Sequence, residues 1–122
     1  MLSLEQDISG RRVDEDYEDT FSIEHILPES PGNQWSEEFS ESQIDELVYR
    51  IGNLTLLEPT LNRTVGNSPY LKKQTAYQAS VYKLTQAIST EEWTPNTLAN
   101  RQRQLAKRAV HIWRSDFDAQ AE

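Results

Sequence analysis

The sequence predicts an α+β fold, mostly helical, and three observations carry that prediction. Two short segments rich in apolar residues, "FSIEHI" at 21–26 and "NLTLLE" at 53–58, are each followed closely by a proline. Much of the remaining chain repeats its apolar residues every three or four positions, the period of a helix packed along one face. There is no internal repeat or low-complexity tract, and 122 residues are most simply one domain, able to bury roughly two thirds of the surface its unfolded chain exposes.

Each element has a local reason. Residues 1–20 end in "VDEDYEDT", a charged stretch with little periodicity that reads as an acidic lead-in or linker remnant. It precedes a domain over 21–117 and a tail over 118–122. In "FSIEHI" the residues Phe21, Ile23 and His25 alternate with Ser22 and Glu24, so a strand would place Glu24 and His25 on opposite faces at its end. Pro28 stops it. The next stretch, "PESPGNQWSEEFSES", is loop by composition, with Trp35 and Phe39 expected to anchor it to the core. Ile44, Leu47, Val48 and Ile51 then fall at i, i+3, i+4 and i+7, which predicts an amphipathic helix capped by Ser42 and ended by Gly52. Gly52 and Asn53 turn the chain into the second strand, "NLTLLE", which would pair with the first. Pro59 suits the first turn of a short helix running to Gly66. Ser68 and Pro69 open another, with Tyr77, Val81, Leu84 and Ile88 as its apolar stripe. Thr94 and Pro95 repeat the signal of a cap followed by proline, and Leu98, Leu105, Ala109, Ile112 and Trp113 line the last helix.

Composition narrows the function. The absence of cysteine excludes disulfides and thiolate zinc sites and suits a reducing compartment. No apolar run approaches the roughly 20 residues that span a bilayer, so a soluble, cytoplasmic protein is expected. The net charge of −8 argues against a nucleic-acid partner only until its distribution is considered. Residues 1–58 hold fifteen acids against three bases, whereas residues 59–122 hold five acids against nine bases. A polyanion could therefore meet the second half.

His25 is one of only two histidines. Taken alone, a histidine beside a glutamate is more often a structural hydrogen-bonder than a catalyst; the motifs around it change that reading. "IEHILP", "IGNLTLL", "LN....N", "NSPYLKK" and the tail pattern of Trp93, Leu98, Arg101, Leu105, Ala109 and Trp113 follow one another in order over about residues 21–113. This series resembles the HNH endonuclease superfamily, and within it the C-terminal nuclease domain of GmrSD-type modification-dependent restriction systems. The resemblance implies a ββα-metal core, two short antiparallel strands plus a helix, packed against additional helices.

It also implies a DNA endonuclease site with named roles. His25 would be the general base, since an ordinary imidazole pKa of about 6.5 suits proton transfer near neutral pH. One Mg²⁺ or Mn²⁺ ion would be held by the oxygen donors Glu24 and Asn62, completed by water and phosphate. Asn62 stands where many superfamily members carry histidine, and Glu24 where aspartate is frequent. Asn53 would be structural within the catalytic site, its amide tying the strands and helping hold His25; a plain turn asparagine is the alternative. Arg63, Asn67, Lys72, Lys73 and Arg101 are expected to face the substrate, double-stranded DNA, modified or not, together with other bases of the second half. The resemblance further implies an N-terminal NTPase-like domain in a larger anti-phage protein. A rival reading is a module that keeps this fold only to bind DNA or protein. His111, beside Ile112 and Trp113, reads as a packing or surface residue.

Overall fold

The computed structural model describes residues 1–10 and 21–121. Its two strands are β1 (Ser22–His25) and β2 (Leu54–Leu57). They pair antiparallel with Ser22 opposite Leu57, Glu24 opposite Thr55 and His25 opposite Leu54. Among the described residues there are six α-helices besides two short 3-10 turns: α1 (Leu2–Ser9), α2 (Glu41–Leu47), α3 (Pro59–Val65), α4 (Tyr70–Ala79), α5 (Lys83–Gln86) and α6 (Pro95–Ala121). The α+β, mostly helical expectation holds. No helix among the described residues is long and apolar enough to cross a membrane.

The unit β1, β2, α3 is closed by side chains as well as by the ladder. Asn62 of α3 reaches back to β1, its Nδ2 donating to Ser22 Oγ at 2.7 Å and to the Ile23 carbonyl at 3.3 Å. The Ser22 hydroxyl donates in turn to the Leu57 carbonyl at 3.0 Å. Pro59 begins α3, and Gly66 ends it with φ of 45°, a conformation that favours glycine. One core gathers Ile26, Leu27, Leu57, Tyr77 and Leu98 with the loop aromatics Trp35 and Phe39, which anchor as expected. A second gathers Leu4, Leu56, Tyr82, Leu84 and Leu105.

Several local expectations are corrected. The cap of α2 is Ser40, not Ser42: its hydroxyl accepts from Gln43 N while the Gln43 side chain accepts from Ser40 N, a reciprocal capping box. Gly52 does not terminate that helix, which ends at Leu47. It is glycine because α6 crosses there: a Cβ at Gly52 would stand 2.6 Å from the Leu98 carbonyl and 2.9 Å from Gln102 N. The long helix expected after Pro69 is two helices. Ser80 leaves the helical conformation at ψ of 149°, and Glu58 accepts from both Ser80 Oγ and Val81 N, so the side-chain partners compete with helix continuation. Val81, assigned to the apolar stripe, is exposed. On α6 the expected stripe is buried at Leu98 and Leu105, whereas Ala109 and Trp113 are exposed.

The first ten residues are more than a lead-in. Leu4 is buried against the second core, and the buried Glu5 accepts from the backbone N–H groups of Lys83 and Leu84 at 3.1 and 2.7 Å. Those are orphan donors at the start of α5, so a carboxylate from a distant helix serves as its cap. The acidic stretch within 11–20 lies outside the described residues.

Candidate active site

Strand alternation separates Glu24 from His25. Glu24 points inward and is buried, while His25 sits at a cleft with its side chain 22% exposed. The cleft, of about 280 Å³, is lined by Glu24, His25, Pro28, Glu29, Ser30, Asn62, Gly66 and Asn67. Four expected site residues thus meet at one depression although they come from β1, α3 and the turn after α3.

Asn53 holds the bend that follows His25. Its Oδ1 accepts from Leu27 N at 2.8 Å and from Trp93 Nε1 at 3.0 Å, and its Nδ2 donates to the carbonyls of Leu27 at 3.0 Å and Val48 at 2.9 Å. Its backbone carbonyl accepts from Ile26 N at 2.9 Å. A fully buried amide with all four side-chain positions filled acts by position; it fixes where β1 ends and therefore where His25 stands.

Beneath the cleft lies a buried ion pair. Lys73 of α4 donates from Nζ to Glu24 Oε1 at 3.3 Å and to the His25 carbonyl at 2.8 Å, and Tyr77 donates to Glu24 Oε2 at 3.2 Å. Burial pushes the Glu24 carboxyl above its ordinary range and the Lys73 ammonium below its own, each opposed by the charge of the other. Burial and the neighbouring Glu24 carboxylate raise the Tyr77 phenol. Lys73, expected on a DNA-facing surface, instead lies inside the protein, 5.9 Å from the Trp35 ring centroid. Arg101 is likewise buried, its Nη1 donating to the Gly52 and Leu54 carbonyls at 2.9 and 2.7 Å. Burial lowers its guanidinium to about 10. Both residues are removed from the surface because backbone carbonyls, and for Lys73 a carboxylate, compensate their desolvation.

Arg63 and Lys72 are exposed. Asn67 is exposed at the rim, and it latches the loop: its Nδ2 donates to the Ser30 carbonyl at 2.9 Å, and its own carbonyl accepts from Gln34 Nε2 at 2.9 Å. His111 is exposed on α6.

Two residues in contact with His25 were not anticipated. Glu29 Oε1 stands 3.7 Å from His25 Nδ1. Tyr49 donates its hydroxyl to Glu29 Oε2 at 2.7 Å and meets the His25 ring edge-on, with centroids 5.7 Å apart and planes at 87°. Glu29 was visible in the sequence, in the same "EHILPE" stretch as His25; nothing local pointed to Tyr49.

The donor set suits a hard cation. Asn62 spends Nδ2 on Ser22 and Ile23, leaving Oδ1 as the group that can take an ion. Glu24 lines the same cleft, where its buried carboxylate already accepts from Lys73, Tyr77 and the His25 backbone, so it could offer an ion only the acceptor capacity those bonds leave. Among the described residues no group of three or more His, Cys, Asp and Glu could hold a metal, so an ion here would need amide, water and phosphate oxygens besides a carboxylate.

The model of one family, the GmrSD restriction endonucleases, C-terminal domain, matches residues 1–108. The chain belongs to that family. No curated protein matches it. A GmrSD C-terminal domain is a restriction endonuclease domain and would act on DNA, and the match includes α1 as well as the residues that form the cleft.

Proposed function

We propose that this GmrSD C-terminal domain hydrolyses phosphodiester bonds of double-stranded DNA at an HNH-type ββα site, with His25 as general base. The observation that carries the reading is the meeting of His25 and Asn62, 37 positions apart in sequence, at one cleft formed by β1 and α3. His25 takes a proton from water; the resulting hydroxide oxygen bonds to phosphorus as the P–O3′ bond breaks, the departing 3′-oxygen takes a proton from solvent, and the imidazolium returns its proton to solvent. Asn53 holds the strand end so that the imidazole meets the phosphate in a fixed orientation. Glu24 and Asn62 would hold one Mg²⁺ or Mn²⁺. When bound, that ion supplies charge stabilisation at the phosphate and the leaving oxygen.

Arg63 and Lys72, exposed bases near the cleft's helix, would position phosphates without reading sequence. Recognition of a modified base would then come from another part of a larger anti-phage protein, an N-terminal NTPase-like domain in the cytoplasm. The test is cleavage of supercoiled plasmid with Mg²⁺ or Mn²⁺. His25→Ala should abolish cleavage and leave the unfolding transition unchanged, and Asn62→Ala should raise the metal concentration required for half-maximal rate. Cleavage by His25→Ala at the wild-type rate would remove the base, and retained DNA binding without cleavage by the wild type would make the domain a binding module.

A further inference from the structure

We infer that Glu29 and Tyr49 form an orienting pair for His25, with Glu29 as a positioning residue that sets which imidazole nitrogen carries the proton. The inference rests on the base reading above and adds to it the means by which the imidazole is prepared.

Two contacts meet on the imidazole, and a third joins the residues that make them. Glu29 Oε1 faces His25 Nδ1 at 3.7 Å, too long for a hydrogen bond but within ion-pair range. Contacts of catalytic groups are often long before substrate binds and tighten in the complex. The second carboxylate oxygen is already held, since it accepts from the Tyr49 hydroxyl at 2.7 Å. Tyr49 then completes the triangle by packing its ring edge-to-face with the imidazole, which restrains rotation of the imidazole plane. A tyrosine 65% exposed and a glutamate 54% exposed gain little from burial, yet they are bonded to each other across 20 residues of chain. Glu29 raises the Tyr49 phenol through that hydrogen bond and through its charge.

The chemical consequence follows from the two nitrogens. An anionic oxygen facing Nδ1 favours the tautomer with the proton on Nδ1, which leaves the lone pair on Nε2. Nε2 is then the atom that accepts a proton from water. Glu29 also meets the imidazolium formed by that transfer. Pro28 and the Asn53-held bend place Glu29 four residues after His25 on a turn, where the ion-pair contact spans a single bend of the backbone.

The experiment uses the full chain with ¹⁵N-labelled histidine. With only His25 and His111 present, both imidazoles can be followed by long-range ¹H–¹⁵N correlation, and His111→Gln assigns them. Wild-type His25, in its neutral form, should carry the proton on Nδ1; Glu29→Ala should shift the balance toward Nε2–H, and Glu29→Gln, which keeps an acceptor oxygen, should restore it in part. Tyr49→Phe should give a smaller shift in the same direction. In the plasmid assay, Glu29→Ala should lower kcat/KM roughly tenfold, with Glu29→Gln between it and wild type. A wild-type imidazole protonated on Nε2, or a tautomer balance unchanged in Glu29→Ala, overturns the inference while leaving the base reading intact. Wild-type cleavage by His25→Ala overturns the base reading, and this inference with it, by a separate signal.

Discussion

Adjacent residues of one strand head two clusters of the same composition. Glu24 joins Lys73 and Tyr77 below the cleft; His25 joins Glu29 and Tyr49 above it. Each has a carboxylate, a basic nitrogen and a phenol. The first is buried, with Lys73 wholly enclosed, whereas the second is exposed to solvent. Burial makes the charges of the lower cluster interdependent, because neither ion can be left alone in a low dielectric. Solvent makes the upper cluster weak as a source of stability and accessible to a substrate. The two are joined where Lys73 donates to the His25 carbonyl. The buried cluster therefore fixes the backbone from which the accessible one works.

The sharpest way to separate them is to break the buried pair. Lys73→Met leaves the Glu24 carboxylate buried without its cation, and removal of one partner from a buried pair costs about 3–5 kcal/mol. Urea unfolding followed by circular dichroism should show a loss of that order. The double variant Glu24→Gln with Lys73→Met should recover much of it, since two neutral groups carry no desolvated charge. A double variant no more stable than Lys73→Met alone would mean that Lys73 acts mainly through the His25 carbonyl and the Trp35 face.

A smaller effect is expected from pH. The Glu24 carboxyl is raised above 4.5 in the folded protein, chiefly by burial, with Lys73 opposing. Between 4.5 and its folded value, the native state holds a proton that the unfolded state has released. Stability contributed by this group is therefore complete below 4.5 and lost as pH rises through the folded value. Wild-type stability relative to Glu24→Gln should fall across that window. A difference that rises with pH there would mean that Lys73 outweighs burial and the carboxyl is lowered.

How far the sequence could foresee this depends on how local each cause is. The strand pair, the anchors Trp35 and Phe39 and the course of α3 from Pro59 to Gly66 follow from neighbouring residues, and they were legible. In "LKK", by contrast, both lysines look like solvated charges. The inward turn of Lys73 depends on Glu24, 49 positions earlier. Arg101 is drawn in by carbonyls of residues 52 and 54, and α5 owes its cap to Glu5. Of the cleft, Glu24, His25, Asn62 and Asn67 were legible through motif order. Glu29 was in plain view but had no role until the fold brought Tyr49 to it.

The smallest expected effect gives the comparison its strictest test. Glu29→Ala removes an exposed carboxylate whose partners are an exposed phenol and a partly exposed imidazole, and solvent replaces both contacts. Surface substitutions of this kind usually change stability by less than about 0.5 kcal/mol. Its urea midpoint should therefore match that of wild type even as the tautomer of His25 changes. A clear loss of stability would mean that the upper cluster, like the lower, is part of what holds the strand end in place. The division between a buried frame and an accessible proposed base would then fail, and any loss of cleavage in Glu29→Ala could no longer be assigned to the imidazole alone.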